Sequence, residues 1–485
     1  MLTFIPMAVG WIWILGLMHI FGLKFNIVNI ILATFIFGQG DDYTIFVTEG
    51  LIYEYSYRKK MLASFKTSIM LSATILFIAI GMLIFAKHPA MRSLAELTMV
   101  GMVSVVLCAY LLPPLIYKWL VYAKGKNRIM PITLWNLVKT GFSFTVFLVC
   151  SIIVTLGGFF ILTIGGKARK NKLLYHNILC QSFKILAKWM PQVKYKIHNP
   201  HGETFNKPAV IICNHQSHLD LLYTLLLSPK VITLTNKWVW KSPFYGWIIR
   251  YADFLPIADG MEQNIDKLRA FTDDGYSILV FPEGTRSPDC SIGRFHKGAF
   301  YLAGALQLDI LPIVIHGVRH VLPKQEFLLR KGEVNVFIEQ RIVGKEKKQT
   351  EDLELLNIAK DVRKLYQKRY AEAALQIETP DYLADKVLKN YIYKGAAIEK
   401  AARKSLKKHK NFVEQIAKLP ENGEVTIQNI GYGEYALMAA LAKKNLKIAA
   451  VEVDLDKLEI AKNCADVPEN LVFVHKLHEN ESHGK

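Results

Sequence analysis

His215 and Asp220 are the residues whose types and spacing suggest acid–base chemistry most directly. Five positions along one continuous helix is about 140° of rotation, so on a helix their side chains diverge. They meet only if His215 lies in a turn and Asp220 in the first helical turn after it. The carboxylate then accepts the Nδ1 proton and leaves Nε2 free as a base. Taken alone, a histidine and an acid at this spacing more often reflect ordinary surface chemistry. A second stretch adds weight: Pro282-Glu-Gly-Thr-Arg-Ser287 places a glycine turn, a hydroxyl and an arginine together. Such a turn suits a phosphate, with backbone N–H groups facing the anion and Arg286 supplying a bidentate fork. Glu283 could fix the arginine or a substrate hydroxyl. The plain alternative is a strand-exit turn without chemistry.

The elements around these residues are those of an α/β sheet. Apolar β-rich runs occur at 193–197, 209–213, 231–234, 277–281, 310–315 and 334–338, several separated by helix-length segments. The run Ala209-Val-Ile-Ile-Cys213 leads into Asn214–Asp220, and Ser277-Ile-Leu-Val-Phe281 into the glycine turn. Both stretches therefore sit where strands end. Ser217 suits a turn or cap better than a nucleophile. His218, His198, His296 and His316 are read as surface or structural histidines.

Together, Asn214–Asp220 and Phe281–Arg286 resemble the phospholipid/glycerol acyltransferase family, with its Asn-His-x4-Asp and Phe-Pro-Glu-Gly-Thr-Arg blocks. Lys237 with Lys241-Ser-Pro-Phe-Tyr-Gly-Trp247, and Leu311-Pro-Ile-Val-Ile-His-Gly317, are similar to two further blocks, and Phe295–Phe300 to the connection before the last. The resemblance implies direct acyl transfer from acyl-CoA or acyl-carrier protein to a lyso-lipid such as 1-acylglycerol 3-phosphate. His215 and Asp220 would be catalytic, with Lys237, Glu283, Gly284, Thr285 and Arg286 binding substrate, and neither metal nor cofactor would be needed. One block departs: Ala258 and Asp259 stand where the family usually ends in an Asp-Arg pair. An acid there repels a phosphomonoester by roughly 0.5 to a few kcal/mol. A lipoamino acid or another lyso-lipid without that group is the alternative acceptor.

Composition points to a membrane. The 485 residues are 52% hydrophobic with a formal charge of +19, and the apolar excess lies in the first 165 positions. Positive charge gathers beside apolar segments, as at Arg58-Lys-Lys60, which suits an anionic membrane face better than nucleic acid. The six cysteines show no zinc or disulfide spacing, and the start lacks the marks of a cleaved signal peptide. Leu2–Phe21, Asn26–Tyr57, Lys66–Phe85 and Leu94–Trp119 read as four spans with cytoplasmic ends. Within the second, Asp41 and Asp42 are candidate proton-relay acids at bilayer depth. Gly38, Gly40, Asp42 and Tyr43 resemble the Gly-x-Gly-x-Asp-Tyr signature of MMPL-type exporters of the resistance-nodulation-division superfamily, and Leu111-Leu-Pro-Pro114 that family's last helix. The likeness covers only four helices and implies a remnant, a fragment, or one piece of an assembly with transporter partner subunits. Phe142–Ile164 is a further apolar stretch with basic flanks on both sides. A re-entrant or monotopic anchor, broken near Ser151 or Gly157-Gly158, would return the chain to the face it left.

In the tail, Gly431 and Gly433 follow a strand-like run, and Glu452 ends another about 20 residues on. This resembles the front of a class I S-adenosylmethionine methyltransferase, with Glu452 at the ribose position. Asn429 replaces the usual acid, and the pattern covers too few strands for an active enzyme. The expected organisation is multi-domain. Membrane helices at 1–122 lead to a linker and anchor at 123–171 and an α/β acyltransferase domain at 172–345. A basic helical linker at 346–420 and a partial Rossmann-like α/β segment at 421–485 complete it. The expected setting is the inner (cytoplasmic) membrane, multi-pass, with the α/β domain facing the cytoplasm. The alternative function is a fragment of a proton-coupled lipid exporter.

Overall fold

The computed structural model describes residues 3–123, 125–235, 240–242, 245–256, 264–287, 290–324, 326–343, 352–407 and 409–476. Two compact units emerge: residues 1–133 with 378–485, and residues 134–377.

The first unit opens with helices Phe4–Ile20, Ile27–Tyr57, Leu62–Gly81 and Pro89–Val121, then a short hairpin of β1 (Tyr122–Ala123) and β2 (Lys126–Asn127). Ile27–Tyr57, Leu62–Phe85 and Pro89–Val121 are long and apolar enough to cross a bilayer. Phe4–Ile20, with 17 residues, falls short of the roughly 20 that a perpendicular span needs. Glycines bring the second and fourth helices together. A Cβ on Gly40 would lie 2.8 Å from a Val105 methyl, and one on Gly101 2.9 Å from Ile36. Small residues at such contacts let helix backbones approach closely.

The tail packs on the end of this bundle where Arg58 and Lys59 lie. Arg58 Nε donates to Asn463 Oδ1 at 3.1 Å, and Lys59 pairs with Asp456 at 2.6 Å. Ser56 Oγ donates to the Lys394 carbonyl, and the Tyr117 hydroxyl to that of Tyr393. Two residues of the basic cluster, Arg58 and Lys59, thus also make protein contacts. The Lys394 ammonium is buried and donates to the carbonyls of Ile460 and Asn463, at the end of helix Leu455–Lys462.

The second unit contains a mixed sheet of β3 (Val193–His198), β4 (Ala209–Cys213), β5 (Val231–Thr235), β6 (Leu255–Pro256), β7 (Ser277–Val280), β8 (Asp309–His316) and β9 (Gly332–Ile338). Their spatial order is β3-β9-β8-β4-β7-β5-β6. Strands β4 to β8 run parallel, β9 is antiparallel to β8, and β3 is parallel to β9. Alternation along β4 divides two cores: Ala209, Ile211 and Cys213 face helices Arg169–Lys188 and Leu219–Leu225, while Val210 and Ile212 face helices Gly298–Leu306 and Asp352–Ile377. The result is three layers with a central sheet buried on both faces, as parallel strands require.

Two boundaries differ from the sequence reading. Helix Asp352–Ile377 belongs to this unit and not to a linker. Leu355, Ala359, Val362 and Tyr366, at helical spacing, bury on the sheet. The anchor also belongs to it, and it does not break at Gly157-Gly158. Leu134–Gly158 continues into a π-helical turn, Phe159–Ile164. Gly158 meets the Tyr251 ring, a contact with no room for a side chain.

The tail sheet is β10 (Gly423–Gln428), β11 (Leu446–Glu452) and β12 (Leu471–His475), all parallel. Leu383, Val387, Ile398, Ala402, Leu406 and Ile416 from the expected linker share one core with Leu437, Ile448 and Leu471. Apolar residues four apart, as at 398, 402 and 406, explain this. The basic positions between them occupy the other face of the helix.

Candidate active site

Three adjacent parallel strands end at one edge of the sheet, and the candidate residues cluster there. β4 runs into Asn214 and His215, and helix Leu219–Leu225 begins four residues later, with Asp220 in its first turn. This is the turn-then-helix arrangement that lets the pair meet. His215 Nδ1 lies 2.9 Å from Asp220 Oδ2. The same oxygen accepts the backbone N–H groups of Gln216 at 2.6 Å and Ser217 at 2.8 Å. Asp220 is fully buried, so these donors offset the cost of placing a carboxylate there. With Nδ1 engaged, Nε2 is the ring atom available to a substrate. The imidazole also stacks on Phe281, ring centroids 4.4 Å apart.

Glu283 braces this loop from the next strand. Oε1 accepts the His215 N–H at 2.8 Å and Oε2 the Gly293 N–H at 2.7 Å. Both oxygens of this buried acid are therefore taken by backbone. The expected link from Glu283 to Arg286 is absent among the described residues, and the contacts of Glu283 are those of a brace between two loops. Burial pushes its pKa up, and the two N–H donors oppose that shift. Gly284 takes a left-handed φ of 67°, as the turn demands. Thr285 is exposed, and the Ser287 N–H donates to the His215 carbonyl at 2.8 Å, tying the glycine turn to the histidine. Beside the pair, burial lowers the pKa of His218, and the charges of Arg286 and His215 lower it further. Ser217 holds the turn before the helix: its Oγ donates to Leu322 O and accepts from the Leu219 N–H, while His218 is the N-cap residue.

Residues 194–316 match the family model described as Acyltransferase. This segment is an acyltransferase domain. A 1-acyl-sn-glycerol-3-phosphate acyltransferase of Brassica napus chloroplasts, BAT2, is 33% identical over 143 residues, 28% of this chain and 41% of that protein. The human 1-acyl-sn-glycerol-3-phosphate acyltransferase alpha is 26% identical over 168 residues, 32% of this chain and 59% of that protein. This chain thus spans between about two fifths and three fifths of these relatives' length. Among solved structures, the PlsC 1-acyl-sn-glycerophosphate acyltransferase of Thermotoga maritima aligns with a TM-score of 0.41 and 22% identity, over 49% of this chain and 97% of that one.

Several contacts that hold the candidate site, some of them made by residues of the motifs themselves, were missed in the sequence. The Asn214 side chain clamps β8, donating to Ile315 O at 2.9 Å and accepting from Ile315 N at 2.8 Å. Tyr366, from helix Asp352–Ile377, donates its hydroxyl to Ile212 O at 2.6 Å and accepts from Ile313 N at 3.1 Å. Tyr370 donates to Gln216 Oε1 at 3.1 Å. Gly293 sits close against Glu283: a Cβ there would lie 2.7 Å from Glu283 Oε2, so a side chain would displace the carboxylate. For Tyr366 the signal in the sequence was the helical spacing of 355, 359, 362 and 366; Asn214 lay in the Asn-His-x4-Asp block, which carries no hint of its contact with β8.

Other candidates lie elsewhere. Lys237, Ala258 and Asp259 fall outside the described residues. Asp41 and Asp42 sit within the unbroken helix Ile27–Tyr57, with Asp42 at its midpoint on an exposed side; neither forms an ion pair among the described residues. Gly431 and Gly433 adopt φ of 59° and 91°. Glu452, however, is buried, with Oε2 accepting the Gly431 N–H at 2.8 Å and Oε1 those of Val453 and Asp454. An acid whose oxygens all hold backbone does not fit the ribose-binding role expected for S-adenosylmethionine.

Proposed function

We propose that this chain transfers an acyl group from an acyl thioester, carried on CoA or acyl-carrier protein, to the free hydroxyl of 1-acylglycerol 3-phosphate. The observation that carries the reading is the His215–Asp220 pair, 2.9 Å apart at the end of β4 beside the Arg286 turn. His215 Nε2 takes the hydroxyl proton as the oxygen attacks the thioester carbonyl. The C–S bond then breaks, and the imidazolium returns the proton to the departing thiolate. Asp220 stabilises the imidazolium, and its backbone donors keep it in place.

Helix Leu134–Ile164 supports a membrane setting for this chemistry. Thr140, Ser143, Val154, Gly158 and Leu162 bury one face of it against the domain from end to end, while Val149, Ile152, Ile153, Leu156 and Phe160 stay exposed. Leu134–Ile164 is also long and apolar enough to cross a bilayer; fastened to the domain along one face, it would present its apolar side to lipid. A re-entrant or in-plane placement would keep both basic flanks on one side, the cytoplasmic one.

The test uses membranes carrying the full chain, labelled acyl-CoA and a panel of lyso-lipids. Transfer to 1-acylglycerol 3-phosphate that falls by about 10²-fold or more in His215→Ala, at equal protein level, supports the reading. Unchanged transfer in that variant removes His215 as the base. Transfer only to neutral acceptors or lipoamino acids overturns the acceptor and keeps the chemistry.

A further inference from the structure

Resting on the acyl-transfer reading, we propose that Arg319 joins Arg286 in a two-guanidinium seat for the acceptor's phosphate, and that Arg319 sets the preference for a phosphorylated over an uncharged acceptor. The sheet order sets them on either side of His215: β4, which delivers His215, lies between β7, which leads to Arg286, and β8, which leads to Arg319. After β8 the chain turns at Gly317, φ 93°, packed directly on the Glu333 carbonyl, so the start of the following turn is fixed in place.

Contacts tie Arg319 to the site. Its Nη1 donates to Cys290 Sγ at 3.8 Å, and the Cys290 carbonyl accepts from the side chain of Gln216, the residue after His215, at 3.0 Å. Lys324, five positions on, donates to the Arg286 carbonyl at 3.1 Å. Neither guanidinium has a carboxylate partner among the described residues. Each also keeps a buried nitrogen without an acceptor, Nη1 of Arg286 and Nε of Arg319. Buried cationic donors left open in this way are met by an anion with several oxygens, and a phosphate monoester offers three. Arg319 lies beyond the matched segment, which ends at residue 316.

The experiment compares wild type with Arg319→Gln and Arg319→Lys, using the full chain in vesicles, with 1-acylglycerol 3-phosphate and monoacylglycerol as alternative acceptors. Arg319→Gln should raise KM for the phosphorylated acceptor about tenfold or more, leave KM for acyl-CoA in place, and lower the phosphorylated-to-neutral ratio of kcat/KM by the same factor. Arg319→Lys should recover part of that ratio. A rise in the acyl-CoA KM instead places the seat on the donor's phosphates and overturns the proposal, as does an unchanged KM for both. If the wild type transfers no acyl group at all, the acyl-transfer reading fails by itself. The seat is then judged by phenylglyoxal modification of Arg319, read by peptide mass spectrometry. Slowing by glycerol 3-phosphate and not by glycerol supports it; equal rates overturn it.

Discussion

Replacing Glu283 by Gln tests whether that acid positions the site or touches substrate. Its two oxygens accept N–H groups from His215 at 2.8 Å and from Gly293 at 2.7 Å, and the residue is 6% exposed. Glutamine keeps the shape but turns one acceptor into an NH2 facing a backbone N–H. One charge-assisted hydrogen bond is lost, worth about 1.5–3 kcal/mol, and a buried donor is left without a partner at about 1–3 kcal/mol. These costs overlap, and relief of burying a charge offsets part of them, since burial already raises the pKa of this acid. A net loss of about 2–4 kcal/mol is expected, which for a unit of this size lowers Tm by roughly 5–15 °C. The lost brace also loosens the His215 backbone, so kcat falls while KM for the acceptor stays near wild type. Gly293→Ala reaches the same carboxylate from the other side and should give the same pattern. Thermal melts and steady-state kinetics on one preparation settle the matter. An unchanged Tm with a raised acceptor KM would show Glu283 acting on substrate and refute the bracing argument.

Two other perturbations follow from buried groups. Burial, with Lys172 adding to it, lowers the pKa of His176 from 6.5 to about 4. A histidine kept neutral by the fold contributes its full stability above pH 6.5, and that contribution drains as pH falls towards 4, by about 3 kcal/mol in all. His176→Phe keeps a ring against Tyr276 and should flatten the acid limb of stability against pH; an unchanged limb would discount His176. Tyr366→Phe leaves Ile212 O and Ile313 N without their shared partner, so denaturant unfolding should report a loss of about 2–4 kcal/mol, and a loss below about 0.5 would show that the helix does not support the sheet.

What could be read from the sequence was what is local. The apolar helices ahead of an α/β domain follow from composition and strand-length runs. The meeting of His215 with Asp220 follows from a turn leading into a helix, because both ends of that contact lie within six residues. Glu283 shows the limit. Its partners are backbone N–H groups of His215 and Gly293, which carry no side-chain signature and converge only once β4 and β7 pair. Gly158 misled for a related reason: a glycine pair in an apolar helix suggests a break, whereas here it admits the Tyr251 ring. The charged stretch after residue 343 looked like a domain boundary, yet Tyr366 and Tyr370 beyond it reach back to Ile212, Ile313 and Gln216. The candidate site is therefore supported by groups far outside the matched segment. A chain cut at residue 345 would keep every motif residue and lose the hydroxyls that pin β4 to β8 and hold Gln216 beside the histidine.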